Sequence, residues 1–271
     1  MRRFPLLVAS LLVLVLLPGS LARADTAPAA PSRMAAIGDS MTQAANVCCW
    51  YGDHPANSWS TGGASWDGIR SHYERLRALN PNLVGHNYNV SVSGARMRNA
   101  PAQAATAVSK RPRYVTILMG ANDLCTSSSG TMTSVEDYRS QFRQTLQTLS
   151  AGLPGNARIF VSSIPDVYQL WQLYHDDPTA RWVWDIADIC QSLLAPERTE
   201  EQRQAFRERN AAFNTVLQQE CAAQARCRFD GNAVFNFQFN RSHVSSLDYF
   251  HPSLSGQAEL ARISWERSWW N

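Results

Sequence analysis

The sequence predicts an α/β protein, a three-layer α/β/α sandwich around a central parallel sheet, on two observations. Short continuous apolar runs, each closed by a glycine, serine or proline turn, alternate with longer stretches of helical period, the pattern of parallel strands joined by crossover helices. No repeat, composition break or linker interrupts that alternation, so one domain over residues 33–271 is expected in a chain of 271 residues. With 45% hydrophobic and 17% charged residues, the chain has ample material for a buried core.

Two segments precede that domain. Arg2 and Arg3 lead into an apolar run from Leu6 to Leu17, and Ala22-Arg23-Ala24 offers a small-x-small cleavage site before Asp25. These are the three parts of a secretory signal peptide, and the run falls well short of the ~20 residues a spanning helix needs. Residues 1–24 are therefore expected to be cleaved near Ala24 and the remainder secreted. Residues 25–32, DTAPAAPS, read as a flexible leader. Removing Arg2, Arg3 and Arg23, with no acid beside them, turns 25 basic and 22 acidic residues into 22 of each. A balanced chain offers neither a nucleic-acid footprint nor a polybasic membrane patch.

The elements follow in order. Met34–Ile37 is a short buried strand ending at Gly38-Asp39-Ser40. Trp66–Leu79 places Ile69, Tyr73 and Leu76 on one helical face and stops at Asn80-Pro81. Val84–Val92 reads as the second strand. Pro101–Lys110 is an alanine-rich helix with its proline at the first helical position. Tyr114–Met119 is the third strand, a continuous apolar run suited to a sheet covered on both faces. Val135–Leu153 is a helix with Tyr138, Phe142, Leu146 and Leu149 in register, and Arg158–Ile164 is the fourth strand. Glu200–Ala225 and Leu254–Trp270 are the last two helices. Pro165–Pro196 is less regular and carries Tyr168, Trp171, Tyr174, Trp182 and Trp184. It reads either as an elaborated loop with a satellite core, or as an apolar wall or lid able to hold an acyl chain beside an active site.

Export makes six cysteines read as disulfides. Cys221 and Cys227 flank a short loop and form the first expected bridge; Cys125 and Cys190 form the second. Cys48 and Cys49 are sequence neighbours, which either bridge each other, remain thiols or enter another connectivity. No spacing matches a zinc pattern, so no metal is expected.

In an open parallel sheet, ligands bind at the carboxyl ends of the strands. Four polar signatures fall there: Ser40 after the first strand, Gly94 in VSVSGARM after the second, Asn122 in ILMGANDLC after the third, and His251 in LDYFHPS before the last helix. Each alone is also ordinary turn chemistry. Asp248 is more informative, because a carboxylate three residues before His251 can turn back to the imidazole. It would then fix the tautomer and leave the other nitrogen to take a hydroxyl proton, although a surface Asp–His pair is the plain alternative. His54, His72, His86, His175 and His243 read as surface or structural, with His54 a candidate for the pocket rim.

Taken together and in this order, the four blocks resemble the SGNH hydrolases, also called the GDSL family, from Ser32 to the C-terminus. GANDLC, DYFHPS and SSIPDVYQLW look most like the secreted bacterial esterase, lipase and phospholipase branch. Met41 departs from the family's usual leucine, a volume-conserving change. The resemblance implies a flavodoxin-like parallel sheet and a serine ester hydrolase working through an acyl-enzyme. Ser40 would be the nucleophile, His251 the general base and then acid, and Asp248 the orienting carboxylate. The oxyanion hole would combine the Gly94 N–H, the Asn122 amide and the Ser40 N–H. Those types suit the chemistry: a serine hydroxyl needs a base, the tetrahedral intermediate needs fixed donors, and glycine lets the backbone approach the ester closely. No cofactor is implied. The expected substrates are carboxylic esters of acyl lipids, phospholipids among them. An acetylated polysaccharide is the alternative on the same machinery, and a non-catalytic exported glycan- or surface-binding domain is a second. Beyond its ester substrate no nucleic acid, stable membrane anchor or oligomeric partner is called for.

Overall fold

Strand β1 (Met34–Gly38) lies between β2 (Asn87–Asn89) and β3 (Tyr114–Leu118), and β4 (Arg158–Val161) and β5 (Cys227–Phe229) extend the sheet in the order β2-β1-β3-β4-β5, every pair parallel. That order reverses direction at β1 and β3, the switch point of a flavodoxin-like sheet. The computed structural model describes Met1 and residues 27–271; the expected signal peptide lies outside the described residues. The part of the leader that is described is held rather than loose. The Trp270 indole donates to the Pro28 carbonyl at 2.7 Å and the Asn80 amide to the Ala30 carbonyl at 2.9 Å.

Alternation along the strands divides the core. Met34, Tyr114 and Phe160 point to one face, where they meet Leu76 of α1 (His72–Leu79), Leu83 and Trp265 of α9 (Leu254–Trp265). Ala35, Ile37, Val115, Ile117, Ile159 and Val161 point to the other and join α2 (Ala100–Ser109), α4 (Val135–Gly152) and α8 (Glu200–Ala222). The helices start where side chains can take the orphan amides. Ser71, Ser134, Thr199 and Ser253 accept from Glu74, Asp137, Gln202 and Gly256 N–H.

Several boundaries move. The Ser71 cap starts α1 at His72, six residues after the sequence expectation, because Asp67 accepts the Ile69 N–H and Gly68 adopts φ 74°. The second strand shrinks to three residues, although Val90 and Val92 N–H still bond the Ala36 and Gly38 carbonyls. β5 escaped the apolar-run pattern, since a three-residue strand only half-buried and containing Arg228 carries no such run.

The largest correction concerns Pro165–Pro196. It is not a loop with a satellite core. It forms α5 (Tyr168–Tyr174), α6 (Pro178–Ile186) and α7 (Gln191–Leu194), and Tyr168, Tyr174 and Trp184 are buried in the main core. Asp177 caps α6 through the Thr179 and Ala180 N–H groups, and Pro178 opens it. Arg203, buried on α8, donates to the Leu193, Ala195 and Arg198 carbonyls with its guanidinium 3.6 Å from the Trp171 ring centroid. Disulfides join Cys125 to Cys190 and Cys221 to Cys227, while Cys48 and Cys49 are free thiols. Among the described residues no helix is long and apolar enough to cross a membrane.

His72 is fully buried between α1, β3 and α9. Ser264 donates its own proton to the Leu260 carbonyl, so it accepts from His72 Nε2 at 2.8 Å, and His72 Nδ1 accepts from the Tyr114 hydroxyl at 2.8 Å. Burial, with Arg75 adding to it, lowers the imidazole pKa from 6.5 to about 3. A depressed histidine binds fewer protons folded than unfolded, so its contribution to stability is present above pH 6.5 and is lost as pH falls toward 3. His72→Gln should therefore destabilise the fold most near neutrality. The gap to wild type should shrink by about 1.4 kcal/mol per pH unit below 6.5, read from denaturant melts across pH 3–7.

Candidate active site

β1 ends at Gly38 and the chain turns sharply through Asp39 and Ser40. The Asp39 carbonyl accepts the Thr42 and Gln43 N–H groups at 3.1 and 3.0 Å, and its Oδ1 accepts Met41 N–H at 3.0 Å. A Cβ on Gly38 would collide with Thr42 and come within 2.8 Å of the Leu118 carbonyl, so this strand end has room only for glycine. Asp39 is fully buried with Oδ2 unpartnered, and desolvation raises its pKa to about 7 against the opposing Met41 hydrogen bond.

The second part is the loop before α9. Its Val244–Pro252 bridge and the Ser245 N–H to His251 carbonyl bond, 2.8 Å, close it on itself. Inside, Asp248 Oδ1 accepts the Phe250 and His251 N–H groups at 2.9 and 3.0 Å, while Tyr249 takes the left-handed φ 54° that bends the chain back. This brings Asp248 Oδ2 to 2.6 Å from His251 Nδ1, and His251 Nε2 to 2.8 Å from Ser40 Oγ. Burial alone would raise the Asp248 pKa. The hydrogen bond and charge of His251, with the Asn46 amide and the loop N–H groups, outweigh it and hold the carboxyl below its ordinary value.

The third part follows β3. Gly120 has φ 137°, and a Cβ there would run into Ile164 and approach the Tyr138 hydroxyl to 2.8 Å. It opens α3 (Ala121–Leu124), which carries Asn122. The Asn122 Nδ2 donates to the Ala95 carbonyl at 3.0 Å, and the buried Asp123 accepts Met97 N–H at 2.7 Å and the Thr133 hydroxyl at 2.8 Å. These bonds tie the Asn122 turn to the Gly94 turn, where Gly94 has φ 79°. Among the described residues no protein acceptor engages the N–H of Ser40 or of Gly94. Ser40, Asn122 and His251 together line a pocket whose remaining wall is largely apolar, with Val167, Leu170, Leu173, Phe239 and Leu260.

A family model described as GDSL-like lipase/acylhydrolase matches residues 34–263, nearly the whole described chain. The chain belongs to that family. It is 31% identical to human membrane-associated phospholipase B1 over 183 residues, covering 54% of this chain and 12% of the relative. It is 30% identical to mouse acyloxyacyl hydrolase over 114 residues, covering 40% of this chain and 20% of the relative. The matched part of this chain thus corresponds to a small fraction of each relative's length. Among solved structures, the acetyl xylan esterase AlAXEase superposes with a TM-score of 0.52 at 13% identity, covering 86% of this chain and 98% of that one. A GDSL-like lipase from Parabacteroides merdae, described as putative, gives 0.51 at 16%, covering 89% and 98%. At those identities the likeness is one of fold.

Asn46 and His243 were out of reach of the sequence reading. Asn46 donates to Asp248 Oδ2 at 2.7 Å while its Oδ1 accepts Gly52 N–H at 2.8 Å and its carbonyl accepts the Ser245 hydroxyl. No motif marks a residue 202 positions from its partner. His243, read as surface or structural, lines the apolar pocket. His54, the rim candidate, is instead buried beneath its own loop, with Nε2 3.0 Å from the Trp50 carbonyl. Removing the Asn46 amide should lower kcat, since a hydrogen bond to a charged group contributes about 1.5–3 kcal/mol. Asn46→Ala is expected to reduce ester hydrolysis by about 10–100-fold. Asn46→Asp, which sets a second carboxylate against Asp248, should reduce it further. Steady-state kinetics beside melting curves checks both.

Proposed function

We propose that this acylhydrolase is an exported serine esterase/lipase that cleaves carboxylic esters of acyl lipids through Ser40, His251 and Asp248. One observation carries the reading: an unbroken Asp248–His251–Ser40 hydrogen-bonded chain, 2.6 and 2.8 Å, opens onto a largely apolar pocket. Ser40 Oγ attacks the ester carbonyl as His251 Nε2 takes its proton, and the imidazolium that forms keeps its Nδ1–H on Asp248. The tetrahedral oxygen is met by the Ser40 and Gly94 N–H groups and the second Asn122 amide hydrogen. Collapse expels the alcohol, which takes the proton from His251. Water, activated by the same imidazole, then releases the acid and frees Ser40.

The pocket supports acyl lipids over acetylated glycans, since an acetyl group would leave Val167, Leu170, Leu173, Phe239 and Leu260 without an apolar partner. The two curated relatives are named for cleavage of phospholipid and acyloxyacyl esters, in line with that substrate class. Export is supported by the two disulfides, which suit an oxidising compartment. A single domain spanning residues 33–271 and acting as a monomer suffices for this chemistry.

Ser40→Ala and His251→Ala should each abolish hydrolysis of short-chain p-nitrophenyl esters while leaving the melting transition in place; a fully active variant of either would overturn the assignment. Asp248→Asn should lower kcat by about 10³–10⁴-fold, as for other orienting carboxylates. In a panel of triglyceride, phospholipid and acetylated glycan, Ser40-dependent release of fatty acid should exceed release of acetate. The reverse would favour the glycan esterase.

A further inference from the structure

A second groove, lined by Asn46 and Asp248 as well as His251, opens beside the relay. It shares Asn122, Phe250 and His251 with the apolar pocket, so one molecule held at Ser40 reaches both. A reacting ester carbonyl has two substituents. When the acyl chain occupies the apolar pocket, the groove is the neighbouring space open to the alcohol side. The groove is lined by Tyr51, Trp182, Val183, Ile186, Ile189 and Leu247, of which Tyr51, Trp182 and Ile186 are 70%, 60% and 59% exposed. Large apolar side chains left uncovered beside a reaction centre are informative where scattered ones are not.

Its walls are also fixed relative to Ser40. The Cys125–Cys190 disulfide and the Ser192 bonds to Leu124 and Thr126 fasten the far wall to the Asn122 turn. The Trp184 indole donates to the Tyr249 carbonyl at 3.1 Å, and the Tyr51 hydroxyl to the Leu247 carbonyl at 2.9 Å, fastening both sides to the Asp248–His251 loop. Of its polar groups the Asn46 amide is already committed to Asp248 and Gly52, while Asp188 stands exposed at the rim of an otherwise largely apolar wall. A long apolar arm would be matched.

Building on the lipid-esterase reading above, we infer that this groove holds the second acyl chain of a two-chain glycerolipid. The enzyme therefore selects diacyl substrates over their one-chain counterparts. Each methylene buried contributes about fourfold in binding, so contact with a few of them gives a preference of at least about tenfold.

The test compares a dihexanoyl glycerophospholipid with its one-chain hexanoyl analogue, both below the concentration at which they aggregate, by fatty-acid release. The kcat/KM ratio is read in the same enzyme sample and so does not depend on the fraction folded. Wild type should favour the two-chain lipid by about tenfold or more. Trp182→Ser combined with Ile186→Ser should bring the ratio close to one, and Trp182→Phe should keep it. Equal ratios in wild type and double variant, or no preference in wild type, overturn the inference. If Ser40-dependent release from one-chain lipid persists in that case, the lipid-esterase reading stands without it. If neither lipid is cleaved in a Ser40-dependent way, that reading falls as well.

Discussion

Two buried glutamines hold the turn that carries Ser40, and the geometry of the site depends on them. From α2, the Gln103 side chain accepts the Gly38 N–H at 2.9 Å and donates to the Gly38 carbonyl at 3.0 Å. From α9, on the opposite face of the sheet, Gln257 donates to the Met41 carbonyl at 2.8 Å and accepts Trp59 N–H at 2.9 Å. Buried backbone groups need such partners, and at this last strand residue side chains supply them beside the one ladder bond from the Val92 N–H to the Gly38 carbonyl. Gln257 sits in the helix that begins just after His251. The bond that fixes the serine turn therefore also sets where the imidazole stands relative to it, and the 2.8 Å Nε2–Oγ distance follows from a helix docked at both ends.

Electrostatics then separates three buried carboxyls. Desolvation raises Asp39 to about 7 and raises Asp123 as well, each against hydrogen bonds that lower it. Asp248 alone moves down, because His251 and Asn46 outweigh its burial. In mildly acidic conditions Asp39 is thus neutral, while the carboxyl paired with the imidazole keeps its negative charge. A charged Asp39 directly beneath Ser40 would oppose the oxyanion, whereas a protonated one does not.

How much of this was legible follows from range. The parallel sheet was legible because strands buried on both faces must be continuously apolar, as Tyr114–Leu118 is. Ser40, Gly94, Asn122, Asp248 and His251 stood out because each sits at a strand end or just before a helix, where turn chemistry is compressed into a few residues. Asn46 and the two glutamines did not, since their meaning lies in partners 65 to 216 residues away. The helices of Pro165–Pro196 were hidden for another reason. They are short, rich in aromatic residues with middling helix propensity, and stabilised mainly by the Asp177 cap, the buried Arg203 and a disulfide rather than by a long amphipathic stripe.

That segment also explains how one family machinery can serve different esters. The relay, its glutamine clamps and the Asn122–Ala95 tie all lie at the carboxyl edge of the sheet and involve backbone positions that cannot shift without opening the core. The α5–α7 segment touches the site from outside, lining the apolar pocket with Leu170 and Leu173 and the groove with Trp182 and Ile186. Arg203, Cys190 and Trp184 fasten it at three points, so it acts as a wall rather than a closing flap. Its outward side chains can change without disturbing those anchors. Side chains of α5–α7 that face the pocket and groove are thus set apart from the residues that hold the relay.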